Sequence, residues 1–225
     1  MIVHHLNDSR SQRVLWLLEE LELPYEIVRY ERDPRSLRAP RALRAVHPLG
    51  KSPVLTEDGR TLAESGAIIE YVLERHGNGR LIPPAGSDER LRYTHFLHYA
   101  EGSAMPLLLL KLVASRLAKA PTPALIRPVA RLIARGLAQG FIEPELAVHV
   151  SYLEGELARH TWFAGPELSA ADIQMSFVVE ALLARGDASG MPGLSAFRQR
   201  VHQRPAYRRA EARGGALKLA GEQRE

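Results

Sequence analysis

Hydrophobic and polar residues follow two different periods in the first third of the chain. Short alternating runs typical of strands recur four times, and three other segments carry helical spacing or helix-forming residues. The pattern predicts strands at residues 2–6, 25–30, 54–56 and 60–63, and helices at residues 14–21, 35–45 and 65–75. Asp58-Gly59 separates the last two strands and is a strong hairpin signal. The predicted order is therefore β-α-β-α-β-β-α, an α/β domain.

The rest of the chain shows helical spacing alone. Glycine and proline cluster over residues 76–88, which is turn and linker chemistry. We therefore expect an α/β domain at residues 1–77, a linker at 78–87 and an all-helical domain at 88–225.

Several signals divide the helical part further. Ser169 to Asp172 matches a capping box, with Asp in place of the usual Glu. The tail from residue 214 onward is expected to fray. The predicted helices span 91–118, with a bend at Pro106, then 124–138 and 141–159, and two short helices follow Pro192 and Pro205.

Composition narrows the class of protein. The chain has 225 residues, 45% of them hydrophobic, so it can build a substantial core. It has no cysteine, which excludes disulfides, thiolate metal sites and a catalytic protein thiol. No apolar run approaches the ~20 residues of a membrane span, and the first residues lack the pattern of a secretion signal. We expect a cytoplasmic protein without a metal and without a membrane partner.

The densest basic run in the chain holds Arg35, Arg38, Arg41 and Arg44, and the formal net charge is +4. The favoured interpretation of the run is a solvated face. Pro40 interrupts it and no aromatic residues are interleaved, so a nucleic-acid partner is not expected. A third interpretation is that some of these arginines attract a small anionic ligand.

The segment from His47 to Tyr71 carries the most informative chemistry. Pro53 cannot donate a backbone hydrogen bond, so it must begin its strand or lie at an edge. Glu64 and Ser65 stand where a strand passes into a helix, and a helix N-terminus favours anions. Together these features indicate a site that holds an extended, peptide-like anion by its backbone and its charged ends.

In this order, these motifs resemble those of the cytosolic glutathione transferases. The front half resembles their thioredoxin-like domain, the helical half is similar to their second domain, and Ser169 to Asp172 resembles their folding motif. The stretches from Ser9 to Leu21 and from His47 to Pro53 resemble a branch found in bacteria and fungi. The resemblance covers nearly the whole chain and implies a homodimeric, cytoplasmic glutathione transferase.

The resemblance implies roles for residues that would bind glutathione. Pro53 would be in the cis form, and the backbone of Ser52 would pair with the cysteinyl unit like an added strand. Glu64 and Ser65 would hold the γ-glutamyl end, with Ser65 offering its hydroxyl and backbone N–H to the α-carboxylate.

Lys51 would meet the glycyl carboxylate, together with His47. Taken alone, Ser65 would be read as a simple helix cap and Lys51 as a solvated turn residue. The combination of motifs favours the binding roles.

The implied reaction is attack of the glutathione thiolate on an electrophile. A thiol with a pKa of about 8.5 is only about 3% ionised at pH 7. Half-ionisation requires about 2 kcal/mol, and one hydrogen bond to a charged group supplies about 1.5–3 kcal/mol. A single donor near the start of the first helix is therefore sufficient.

The donor is expected in the turn after the first strand. Ser9 is favoured because it lies in the turn directly before the helix, and Ser11, Asn7 and Arg10 are the alternatives. Counting back from Arg13 and Val14, as in some serine-type relatives, places the donor position at Asp8. The carboxylate of Asp8 accepts hydrogen bonds and cannot stabilise a thiolate. This departure leaves the choice among the four donors open.

A hydrophobic electrophile is expected between the domains, beside Tyr99, Ser103, Met105 and Leu107. His95, His98 and Glu101 have a spacing that permits a metal, but polar surface residues are the favoured interpretation. The alternatives to a transferase are a glutathione-dependent peroxidase or disulfide reductase, and a non-catalytic binding module of the same fold. The lack of cysteine argues against routes through an enzyme mixed disulfide.

Overall fold

The computed structural model describes residues 1–33, 36, 38–119, 122–186 and 188–219, with only the backbone described at residue 185. The predicted order of elements in the α/β half is confirmed. In chain order these elements are β1 (Ile2–Leu6), α1 (Ser11–Glu20), β2 (Glu26–Tyr30), α2 (Ala42–Val46), β3 (Val54–Glu57), β4 (Arg60–Ala63) and α3 (Ser65–His76).

The four strands form one mixed sheet in the order β2-β1-β3-β4. β2 runs parallel to β1, which requires the crossover through α1, whereas β3 is antiparallel to both of its neighbours. Val3 pairs with Leu55, and both side chains are fully buried. This is the thioredoxin-like arrangement expected from the motifs.

Helices make up the second half of the chain. The helices are α4 (Asp88–Tyr99), α5 (Met105–Arg116), α6 (Arg127–Leu137), α7 (Glu143–Arg159), α8 (Ala170–Arg185), α9 (Pro192–Gln203) and α10 (Pro205–Gly214). Two π turns, Ala100–Ala104 and Ala138–Ile142, join α4 to α5 and α6 to α7. None of the helices in the described ranges is long and apolar enough to cross a membrane.

The predicted single helix over 91–118 is in fact two helices. α4 ends at Tyr99, a π turn follows, and α5 begins with Pro106 in its first turn. Pro106 has no N–H to donate one turn back, so the regular hydrogen-bond pattern must change before it. The chain therefore changes register there and does not simply bend.

The predicted helix over 35–45 is shorter and begins later. Residues 38–40 have no regular structure, and α2 begins at Ala42, beyond Pro40. Arg38, Arg41 and Arg44 are exposed, as the solvated interpretation expected. Arg35 lies outside the described residues.

Helix α1 is the centre of the molecule. Every residue from Ser11 to Glu19 is buried, because α1 packs against the sheet and α3 and also against α8 and α10. Trp16 meets the ring of Tyr207 edge-on, with 5.4 Å between ring centroids. The turn before α1 is therefore held by both halves of the chain.

The residues after α10 are ordered around this turn as far as the structure describes them. Fraying was predicted from residue 214 onward, but the backbone N–H of Lys218 donates to Asp8 at 2.7 Å and Leu219 is buried. Residues 220–225 lie outside the described part.

The capping box predicted at the start of α8 is present. Asp172 is fully buried and accepts hydrogen bonds from the backbone N–H of Phe163 at 2.7 Å and of Ser169 at 2.9 Å. The Ser169 hydroxyl donates to the same carboxylate at 2.9 Å. One side chain thus anchors both the start of α8 and the loop before it.

We predict that Asp172→Ala lowers the free energy of unfolding by about 2–4 kcal/mol, because several buried donors lose their acceptor. Asp88→Ala, at the exposed first turn of α4, is the control and should lower it by less than about 1 kcal/mol. Urea unfolding followed by circular dichroism measures both. Equal losses in the two variants would show that the capping box is not an anchor.

Candidate functional site

The backbone just before β3 is free to pair with an extended ligand. The Ser52-Pro53 peptide bond is cis, as expected. The Ser52 hydroxyl donates to the carbonyl of His4 at 2.8 Å and accepts from the N–H of Leu6 at 3.2 Å. In the described part of the chain, the backbone N–H and C=O of Ser52 have no hydrogen-bond partner. The side chain of Ser52 is therefore structural, and only its backbone is available to a ligand.

Helix α3 begins without a side-chain cap. Glu64 precedes it with φ 70°, in the left-handed region, and its side chain makes no capping hydrogen bond. The first N–H groups of α3 therefore lack the partner that a capping side chain would give them. Ser65 is buried at the first position, and its Oγ accepts a hydrogen bond from Nη1 of Arg13 at 3.3 Å. The Ser65 O–H is left to donate to an anion at this helix end.

Arg13 is the residue of this site that the sequence did not reveal. Its side chain is fully buried, and its Nη1 pairs with Glu101 as well as with Ser65. Glu101 also accepts from Nε of Arg10 at 2.9 Å. Nε and Nη2 of Arg13 have no partner among the described residues. The one available signal was a charged residue directly before the apolar run of α1, which begins at Val14.

Burial and ion pairing shift the pKa values of Arg13 and Glu101 in opposite directions. Burial lowers the pKa of Arg13 to about 10, while Glu101 acts in the opposite direction. Burial raises the pKa of Glu101, but the charges of Arg13 and Arg10 outweigh it, so that pKa lies below its ordinary value. Both groups are therefore charged at neutral pH, and positive charge lies directly behind Ser65.

The remaining glutathione-binding candidates lie at the edge of this surface. Lys51 is exposed and forms no ion pair with any residue that the structure describes. His47 follows α2, and its Nδ1 accepts from the N–H of Leu49 at a long 3.4 Å. Both side chains precede the free backbone of Ser52 by a few residues, so they are close to it along the chain.

A chain of hydrogen bonds passes through the turn before α1. Ser9 Oγ donates to the carbonyl of Leu6 at 2.7 Å and accepts from the N–H of Ser11 at 3.2 Å. Ser11 Oγ lies 2.8 Å from Nδ1 of His5, and Nε2 of His5 lies 3.0 Å from the carbonyl of Gly214. A carbonyl can only accept, so Nε2 carries the proton and Nδ1 accepts from Ser11.

The two serine hydroxyls are therefore already committed. Both side chains are buried, and each proton has an acceptor inside the protein. Burial lowers the pKa of His5, which keeps its ring neutral and in the form that this chain of hydrogen bonds requires. In this arrangement neither Ser9 nor Ser11 has a proton to offer a thiolate.

Asn7 and Arg10 have donors left. The Asn7 side chain accepts from the N–H of Arg32 at 2.8 Å and donates one N–H to Asp8 at 3.0 Å. Arg10 uses Nε on Glu101, and its two terminal nitrogens have no partner in the described part of the chain. Asn7 lines a pocket between the turn and the residues after α10, whereas Arg10 lines the pocket that the turn forms with α5 and α8.

That pocket has a volume of about 380 Å³ and lies between the turn, α5 and α8. Met105, Leu109, Leu112 and Arg116 line it from α5, at spacings that put them on one helix face. Phe177 lines it from α8. The guanidinium carbons of Arg10 and Arg13 lie 5.6 and 5.3 Å from the centre of the Phe177 ring. The pocket is thus largely apolar, and the cations Arg10, Arg32, Arg116 and Lys218 also line it, with Asp8.

Tyr99, Ser103 and Leu107 do not line this pocket. Tyr99 is buried in a ring cluster and its hydroxyl bonds Nδ1 of His149. Leu107 is buried in the core, and Ser103 is exposed. The π turn at Ala100–Ala104 rotates α5 relative to α4. The lining therefore differs from the expected one, and of the residues expected there it keeps only Met105.

The suggested metal ligands do not converge. Glu101 pairs with Arg10 and Arg13, Nε2 of His95 bonds the Tyr152 hydroxyl at 3.0 Å, and His98 is exposed. A search of the described residues found no cluster of three or more acidic or histidine side chains that could hold a metal.

Comparisons with known proteins point to one family. The glutathione S-transferase N-terminal domain model matches residues 9–75, and the C-terminal domain model matches residues 142–205. Glutathione S-transferase 3 of Schizosaccharomyces pombe is 37% identical over 183 residues, which is 80% of this chain and 74% of the relative. Glutathione S-transferase 1 of Saccharomyces cerevisiae is 33% identical over 224 residues, 96% and 95% of the two chains.

Solved structures agree. A glutathione S-transferase from Actinobacillus pleuropneumoniae matches with a TM-score of 0.80 at 28% identity, covering 96% of this chain and 94% of the other. A sphingomonad glutathione S-transferase, solved in complex with glutathione, shares the fold with a TM-score of 0.71 at 24% identity, covering 96% and 100%.

The chain therefore belongs to the glutathione S-transferase family. Within that family it is a glutathione transferase, the enzyme that its motifs had implied.

The buried His5 generates a pH prediction. Its folded-state pKa lies below the unfolded value of about 6.5. The unfolded chain therefore binds a proton that the folded chain does not, so the free energy of unfolding should be highest above about pH 6.5 and should fall as the pH decreases below that value.

We predict that His5→Gln reduces this pH dependence and leaves the part that His4 contributes, because burial also lowers the pKa of His4. His98→Gln, an exposed histidine, should keep the wild-type slope. Urea unfolding at a series of pH values measures this. A slope for His5→Gln equal to that of the wild type would show that the ring is not held neutral by the fold.

Proposed function

We propose that glutathione binds in an extended form from the start of β3 to the start of α3. The backbone of Ser52 pairs with the cysteinyl unit, as in the addition of a strand. Ser65 and Glu64 hold the γ-glutamyl end, and Lys51 with His47 meets the glycyl carboxylate. The three parts of the tripeptide then match three groups of donors and acceptors that the fold leaves unused.

One observation carries this proposal. Ser65 opens an uncapped helix, and the buried cation of Arg13 lies 3.3 Å behind its hydroxyl. The free N–H groups of α3, the Ser65 O–H that Arg13 does not use, and the positive charge of Arg13 together favour the binding of a carboxylate. A simple helix cap would use its own oxygen on the helix, whereas Ser65 Oγ is occupied by Arg13.

We propose Arg10 as the main stabiliser of the glutathione thiolate. Ser9 was favoured from the sequence, but its proton is held by Leu6. Arg10 faces the pocket between the domains and keeps its terminal N–H groups free among the described residues. A charged hydrogen bond supplies about 1.5–3 kcal/mol, which matches what half-ionisation of the thiol needs at pH 7.

We propose that the electrophile occupies the apolar pocket beside Arg10. Leu109, Leu112 and Phe177 offer hydrophobic surface to it. The thiolate sulfur attacks the electrophilic carbon, a sulfur–carbon bond forms, and the leaving group departs with the bonding electrons. No protein base is required, because bound glutathione already loses its proton to solvent.

Other expectations stay predictions. We propose the domain limits 1–77 and 88–225 with a linker at 78–87, which agree with the gap between α3 and α4. The homodimer and the cytoplasmic location rest on the family resemblance.

We predict that Ser65→Ala raises the dissociation constant for glutathione about ten- to hundredfold, because a hydrogen bond to a charged carboxylate is lost. Thr61→Ala, an exposed hydroxyl on β4, is the control and should bind as the wild type does. Isothermal titration calorimetry measures the affinity, and retention on immobilised glutathione gives an independent check. If Ser65→Ala binds normally, glutathione lies elsewhere.

We predict that Arg10→Gln raises the pKa of the bound glutathione thiol by about one to two. Arg10→Lys keeps the charge and should show a smaller rise, while Ser9→Ala and Asn7→Ala should leave this pKa close to that of the wild type. Thiolate absorbance titrated at saturating glutathione measures it, and the pH profile of conjugation with chlorodinitrobenzene supports it. A rise confined to Ser9→Ala would identify Ser9 as the donor.

A further inference from the structure

One stretch of the helical domain has an unusual charge. Residues 102–142 contain six basic residues and no acidic residue. The acidic residues that bound this stretch are both paired, Glu101 with Arg10 and Arg13, and Glu143 with Lys111. The stretch therefore presents a positive surface that little within the described chain neutralises.

The same stretch exposes hydrophobic side chains. Most of the exposed large hydrophobic residues of the described chain belong to it. They are Leu109, Val113, Leu117, Leu125, Ile126, Val129, Leu132, Ile133 and Phe141. Such a concentration on one part of a monomer indicates an interaction site.

Helix α6 exposes its large apolar side chains, whereas a helix of a globular protein usually buries them. None of its residues is buried. Its half-buried side is formed by Ala130, Ala134 and Leu137, which are three to four residues apart. The larger Val129, Leu132 and Ile133 are each at least 60% exposed. Two alanines and Leu137 thus face the domain, whereas three large apolar residues face outward.

Two arginines of α6 lie on one side of this outward face, because helical spacing places them beyond Leu132 around the helix. Arg131 and Arg135 are exposed, four residues apart, and neither forms an ion pair with a described residue. Arg127 at the start of the helix donates to the carbonyl of Thr122 at 2.9 Å. Continuing the helical spacing backward, Leu125 lies four residues before Val129 and is 91% exposed. We call the outward face, formed by Leu125, Val129, Leu132 and Ile133 with Arg131 and Arg135, the basic apolar face.

We propose that the basic apolar face binds an anionic membrane surface, with α6 lying in the plane of the interface. Apolar side chains on one side and arginines beside them are the pattern of helices that lie on membranes. The positive charge of this face argues against a second copy of this chain as its partner. An isologous contact would bring like-charged arginines together, whereas anionic headgroups complement them.

This proposal differs from a membrane span. The expectation of no membrane partner rested on the lack of a long apolar run, and a span needs about 20 apolar residues. A helix lying in the interface needs one apolar side, which α6 has in its eleven residues.

The test uses the full chain and flotation with vesicles. The wild type should float with phosphatidylcholine vesicles that contain roughly a third phosphatidylserine, much less with pure phosphatidylcholine, and less again as salt is raised. Leu132→Gln should weaken binding about tenfold or more. Arg131→Gln with Arg135→Gln should weaken it about 25-fold, about fivefold for each arginine.

The controls match the variants. Leu91→Gln removes a leucine of the same 72% exposure as Leu132, on α4, and Arg38→Gln with Arg41→Gln removes two exposed arginines elsewhere. Both controls should bind vesicles as the wild type does. Thermal unfolding of each variant should be unchanged, because every substituted side chain is exposed.

Three outcomes would overturn the proposal. The first is a wild type that ignores anionic vesicles. The second is an equal loss in Leu132→Gln and Leu91→Gln. The third is a Leu132→Gln variant of lower mass by light scattering with no vesicle binding in the wild type, which would make the basic apolar face a subunit interface.

Discussion

The ion cluster of Arg13 with Glu101 connects the two halves of this protein. A buried guanidinium is costly unless it is paired, and Glu101 from the π turn supplies the pair. Because Arg13 lies on the central helix α1 and also donates to Ser65, the pair fixes the start of α3 relative to the helical domain. Arg10 shares the same carboxylate, so the charge at the pocket is positioned by the same contact. The site therefore depends on both domains being docked.

The hydrogen bonds in the turn before α1 determine which hydroxyl protons are available to a ligand. Ser9 has the chemistry of a thiolate donor, but the carbonyl of Leu6 takes its proton. Ser11 is likewise tied to His5, and His5 to the end of α10. These hydrogen bonds hold the turn in shape and give each serine hydroxyl proton an acceptor within the protein. A buried hydroxyl is satisfied by its neighbours before any ligand arrives, so residue type alone does not identify a donor.

Helix α5 serves two surfaces at once. Its face with Met105, Leu109 and Leu112 lines the pocket beside Arg10, and its exposed Val113 and Leu117 belong to the same basic, apolar stretch of chain as α6. Apolar electrophiles partition into membranes by the same hydrophobic effect that would hold α6 there. A transferase lying on a membrane would thus have its pocket close to where such compounds concentrate.

The sequence by itself determined the order of elements, the capping box at Asp172 and the helix start at Ser65, because each of these follows from a local rule in neighbouring residues. The cis form of Pro53 was implied only by the family resemblance. Only the tertiary structure decided the rest. Arg13 became part of the site because folding brings α1, α3 and the π turn together, and no local pattern encodes that meeting. Leu109 rather than Leu107 lines the pocket beside Arg10 because the π turn changes the helical phase between α4 and α5. Contacts between residues far apart in the chain depend on packing, which local periodicity does not contain.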